Sequence, residues 1–101
     1  MASRVELHRE LEKLLKSKNV YYQSPESVKM EYPAIRYKRS DVDTKFANDK
    51  PYSHKNKYEI IVIDRKPDNP VIDELLKLPM CTYDRPYTAD NLRHDVLTLY
   101  Y

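Results

Sequence analysis

The chain reads as an α+β domain in the order α-β-β-β-α-β-β, a mostly antiparallel sheet with two helices packed on it. Three observations point there. Leu7, Leu11, Leu14 and Leu15 recur at the spacing of one helix face, and Val71, Ile72, Leu75 and Leu76 repeat that pattern over a shorter span. Between and after these segments lie runs of β-branched and aromatic residues, the strongest from Tyr58 to Asp64. The length, 101 residues, suffices for one core only.

The first helix opens at a capping box, Ser3-x-x-Glu6, and is expected over about Arg4 to Lys18. Its acids are weighted early and its lysines late, in agreement with the macrodipole, and both signs interleave on its outer faces, unlike a membrane-binding helix. Val20, Tyr21 and Tyr22 make a short strand that stops before the turn cluster Ser24-Pro25-Glu26-Ser27. A second strand is expected over Ala34 to Lys38. There Ile35 and Tyr37 alternate with Arg36 and Lys38, so one face points inward and the other toward solvent or a partner.

Between Arg39 and Lys55 aliphatic side chains nearly vanish while Asp41, Asp43, Lys45, Asn48, Asp49, Lys50, Ser53 and His54 accumulate. A long, mobile loop at about 39–56 is expected, and a loop of that length in so small a domain is often functional. From Arg36 to Lys57 seven basic residues face three acidic ones, a local charge of +4 where the whole chain carries +2. In the strand that follows, Tyr58, Ile60 and Val62 alternate with Ile61 and Ile63, so both faces are apolar. Such a strand is central, or another subunit covers one of its faces.

Arg65 to Pro70 ends that strand and starts the second helix: Asn69 can cap, Pro70 suits the first turn, and Asp73 and Glu74 lie near the positive end. After Pro79 a short strand from Met80 to Tyr83 leads through a turn-rich connection, Asp84 to Asn91, into a final strand over about Arg93 to Tyr101. An Asp-Arg pair closes two of the strands, at Asp64-Arg65 and at Asp84-Arg85.

Composition removes whole classes of activity. Glycine is absent, so Gly-built phosphate cradles are too. A single cysteine, Cys81, allows neither an internal disulfide nor a cysteine-based metal site, and a reducing compartment is expected. The N-terminal residues lack the apolar core of a signal peptide and the longest apolar run, Ile60 to Ile63, is far too short to span a membrane, so a soluble protein is expected. His8, His54 and His94 show no metal-ligand spacing. Asp41-Val42-Asp43 lacks the Gly and the distal Glu of a calcium loop, and Glu59 is followed two places on by Ile61 rather than by the Lys a nuclease strand needs. Cys81, between Met80 and Thr82, reads as a small core residue rather than a nucleophile. No catalytic, cofactor or metal site is expected, and the chain is not expected to be an enzyme.

Ten tyrosines stand beside one Phe and no Trp. Any one of them fills a strand position well, but as a set they point to half-buried or contact positions, because a buried hydroxyl needs a partner. The basic stretch has two readings: contact with an acidic partner or passing nucleic acid, or a solvated segment kept soluble by its lysines.

Two stretches carry a resemblance: Asn19 to Tyr37, NVYYQSPESVKMEYPAIRY, and Tyr83 to Asp95, YDRPYTADNLRHD. They resemble the small tail-completion proteins of long-tailed bacteriophages, the tail terminator or minor tail proteins, and the likeness runs from the first helix to the last strand. What it implies is a structural role. The family caps the growing tail tube, ends its polymerisation and forms the face that joins the head connector, typically as a hexameric ring. The location implied is the head-proximal end of the tail, after assembly in the host cytoplasm. No cofactor is implied. The partners implied are further copies of the chain, the tail tube protein and the head-completion connector protein, with no membrane and with DNA only passing through the channel.

On that footing the candidate partner-binding residues are Arg36, Lys38, Lys45, Lys50, Lys55 and Lys57, in the basic loop and its flanks. The candidate subunit-interface residues are Tyr58, Asp64, Arg65, Asp84, Arg85 and Tyr87. The loop is expected to lie against the tube or connector rather than to line the channel, where its charge would attract passing DNA. Two alternatives stay open: a neighbouring role as head–tail connector, and a small phage accessory protein that binds nucleic acid.

Overall fold

The computed structural model describes residues 4–23, 31–47, 50–66 and 69–101, with residues 41–47 and 50–55 described by their backbone alone. The elements run α1 (Arg4–Leu15), β1 (Val20–Tyr22), β2 (Ala34–Ala47), β3 (Lys50–Asp64), α2 (Val71–Leu76), β4 (Cys81–Ala89) and β5 (Leu92–Tyr100). The strands form one sheet in the order β1-β2-β3-β5-β4. Only β1 against β2 is parallel; the other three pairings are antiparallel. The α+β architecture and element order expected from the sequence are those observed.

Both helices lie on one face of the sheet. Leu7 and Leu11 of α1 and Val71 and Leu75 of α2 pack on Val20, Ile35, Tyr37, Tyr58, Ile60, Val62, Leu97 and Leu99. Spacings of four in the helices and two in the strands bring these residues together. A fully buried aliphatic side chain contributes about 1.5–3 kcal/mol, so this layer dominates the stability of the fold. The stretch Tyr58 to Ile63, expected to be central or covered on one face by another subunit, lies in a central strand: β3 is flanked by β2 and β5. Its second face carries Ile63, 5% exposed, and the half-buried Ile61.

Helix α1 ends at Leu15, three residues before the expected Lys18. Lys16 takes a left-handed backbone, φ 60°, and the Ser17 N–H donates to the Glu12 carbonyl at 3.2 Å, a Schellman-type closure. The proposed capping residue Ser3 lies outside the described residues, as do the turn cluster at 24–27, and 67 and 68. Asn69 does cap: its Oδ1 accepts the Val71 N–H at 2.9 Å. The Tyr32–Pro33 peptide is cis.

Two expectations need correction. The segment expected to be a long loop at 39–56 is strand over residues 39–47 and 50–56: β2 and β3 pair from Ala34↔Ile63 out to Ala47↔Lys50, with register shifts after Arg39 and Lys45. Residues 48 and 49 lie outside the described residues. The ladder places Asp41 opposite Lys57 and Asp43 opposite Lys55, so facing positions carry opposite charge. The expected turn-rich connection from Asp84 is likewise strand, since β4 runs to Ala89 and only Asp90 and Asn91 turn. Pro86 is tolerated because β4 is an edge strand, where an N–H can be missing without breaking a ladder. Asp90 and Asn91, φ 53° and 62°, make the primed turn that suits a tight hairpin.

Candidate interaction surface

The sheet face turned away from the helices carries most of the described candidates. Ladder parity opposes Arg36 to Ile61 and Lys38 to Glu59 on this face, and at its far side Arg85 to Val96 and Tyr87 to His94. A register shift between Tyr83 and Arg85 brings Asp84 to the same side, where its Oδ2 accepts the Thr98 hydroxyl at 2.6 Å. Tyr87, 38% exposed, stacks on the His94 ring at 4.5 Å and 16°. His94 is itself half-buried, and its Nδ1 lies 3.1 Å from the Leu92 carbonyl.

Beyond this sheet β2 and β3 continue as a two-stranded arm. β5 pairs with β3 only as far as Lys57↔Tyr100, with Asn56 joined to Tyr101 by two further backbone bonds, and β1 pairs with β2 only as far as Tyr37. Among the described residues, those from 41 outward on β2 and from 55 outward to 50 on β3 pair only with each other. Seven strand residues span about 23 Å, and the chain measures 50 × 25 × 23 Å. Lys45, Lys50 and Lys55 sit on this arm, though their side chains lie outside the described residues. Lys57 stands at its root, where the Lys57 carbonyl accepts the Ser40 hydroxyl at 3.2 Å.

At that root a cleft of about 340 Å³ opens among Gln23, Arg36, Lys38, Arg39, Glu59 and Ile61. Lys38 Nζ is 3.8 Å from Glu59 Oε1. The last bond between β1 and β2 runs from the Gln23 N–H to the Tyr37 carbonyl at 2.8 Å, and Gln23 then leaves with a left-handed backbone, φ 46°.

The remaining candidates are used differently. Tyr58 is 1% exposed in the core, so it is not at a subunit surface. It shares strand parity with Ile60 and Val62 and therefore faces the helices. The Asp64 carboxylate holds the turn into α2, accepting from the Arg65 N–H at 2.6 Å, the Lys66 N–H at 3.3 Å and Asn69 Nδ2 at 2.8 Å. Arg65 is exposed beside it.

Two buried polar constellations escaped the sequence reading. Under α1 the Tyr37 hydroxyl lies 2.7 Å from His8 Nδ1 and accepts from Arg4 Nη1 at 3.4 Å, while the Arg4 guanidinium sits 4.4 Å over the Tyr22 ring. Burial pushes the Tyr37 phenol up, partly offset by its bond from Arg4. Beside α2, Asp95 is 3% exposed and accepts from the Tyr83 hydroxyl and Arg93 Nε. The bond to Asp95 pushes the Tyr83 phenol up. Every polar group in these clusters has a structural partner, so they read as fastenings of the helices rather than as reactive centres.

Cys81 packs half-buried against the core, and burial, with Asp84 nearby, pushes its thiol up, away from the thiolate that nucleophilic chemistry uses. Among the described residues no group of three or more metal-ligating side chains forms and no helix is long and apolar enough to cross a membrane. No family model and no curated protein matches the chain.

Proposed function

We propose that the chain is a phage tail-completion protein of the terminator kind, which caps the tail tube, ends its polymerisation and offers the face that joins the head connector as a ring of identical subunits. The observation that carries this reading is the two-stranded arm. A lone two-stranded ribbon is marginally stable in water, so strands that leave their own sheet for about 20 Å are suited to lie on a neighbouring molecule. The sheet's edges favour the same division of labour. β1 has only three residues, and β4 carries Pro86 and a bulge, devices that discourage edge-to-edge pairing of sheets. Contacts are left to the arm and to the open face with Arg36, Lys38, Asp84, Arg85 and Tyr87. Surfaces so different at the two ends of the sheet suit head-to-tail association, which closes into rings.

The test is the mass of the purified chain over a wide concentration range, with negative-stain images and a capping assay on purified tail tubes. Closed rings that stop tube growth support the reading. Replacing residues 41–55 by a tight turn should leave a folded monomer that neither closes rings nor caps tubes. A chain that binds the connector but not the tube has the neighbouring role, and salt-dependent DNA binding by a monomer assigns the accessory role instead.

A further inference from the structure

We draw no further inference here: the strongest candidate, the cleft beside α2 lined by Asp73, Tyr83, Arg93 and Asp95, belongs to the fastening already described, since its buried Asp95 carboxylate already takes the Tyr83 hydroxyl and Arg93 Nε and nothing in the structure shows what would occupy the space beside them.

Discussion

The Tyr83 hydroxyl donates to Asp95 Oδ1 at 2.7 Å, and this bond ties the edge strand β4 to a carboxylate buried beneath α2. Arg93 Nε meets the same oxygen at 3.2 Å. An ionised group this deep is tolerable only with such partners, because an unmet buried charge costs far more than a lost neutral bond. Asp95→Ala should therefore destabilise the fold by about 1.5–3 kcal/mol, while Tyr83→Phe, which leaves Arg93 in place, should cost less. Urea unfolding of the two variants checks the order; equal losses would mean that Tyr83 supplies the whole effect.

A second fastening joins α1 to the sheet through Tyr37. Its ring lies 4.9 Å from Tyr22 and 6.0 Å from Tyr58, and its hydroxyl meets His8 and Arg4. Tyr37→Phe keeps the ring stack and removes only the hydroxyl, so a loss of about 1–2 kcal/mol is expected, whereas Tyr37→Ala adds a cavity and should cost about 3–5. Thermal melts separate these; a neutral Phe variant would show that water replaces the hydroxyl.

Stability should fall on the alkaline side. The bond to Asp95 raises the Tyr83 phenol, and burial raises the Tyr37 and Tyr101 phenols and the Cys81 thiol. Each group holds its proton more tightly in the folded than in the unfolded chain. The stabilisation is thus fully present below the unfolded values, ~8.5 for a thiol and ~10 for a phenol, and is lost as pH rises through the folded ones. Unfolding free energy from these groups should be flat between pH ~7 and ~8 and decline above pH ~9. Tyr83→Phe should make the decline above pH ~10 shallower, and chemical denaturation at stepped pH measures it.

A chain without glycine places other residues in left-handed backbone: Lys16, Gln23, Met80, Asp90 and Asn91. Asp and Asn tolerate that region; Lys16 and Met80, φ 60° and 61°, gain nothing there from their side-chain length. Lys16→Gly and Met80→Gly should each raise stability by about 0.5–1 kcal/mol, the strain relief exceeding the added unfolded-state entropy. Gly at Lys13, inside α1, should lower it by about 1 kcal/mol and serves as the control.

The helices and the inner part of β3, from Tyr58 to Asp64, are legible because burial against the core imposes a period. The arm is not, since a ribbon that leaves the sheet has no core-facing side and thus no alternation to read between Arg39 and Lys55. The outer part of β4, from Asp84 on, reads as a connection because Asp84 and Pro86 break central strands but are accepted on an edge. Parity could have removed Tyr58 from the interface, as it lies in step with Ile60 and Val62. Parity could also have flagged Asp95, a carboxylate in step with the buried Leu97 and Leu99. The clustering of Arg36 and Lys38 with Glu59 and Ile61 needed the β2–β3 register, which sequence periodicity leaves open.

Arg85 offers the sharpest separation of folding from assembly. It is exposed on the open face at the β4 bulge, opposite Val96, and the neighbouring Asp84 is already engaged by Thr98. Reversing its charge disturbs no core contact, and exposed ion pairs contribute at most about 1 kcal/mol, so Arg85→Glu should melt within a few degrees of the parent. If the open face meets the next subunit, the same substitution sets like charges or an unpaired carboxylate into that contact at every interface of the ring. A repeated penalty of even ~1.4 kcal/mol per contact weakens each association step about tenfold, enough to abolish closed rings at micromolar concentration. Sedimentation of the variant beside the parent decides it: rings of normal mass from Arg85→Glu would remove this residue from the interface and move the subunit contact to the arm.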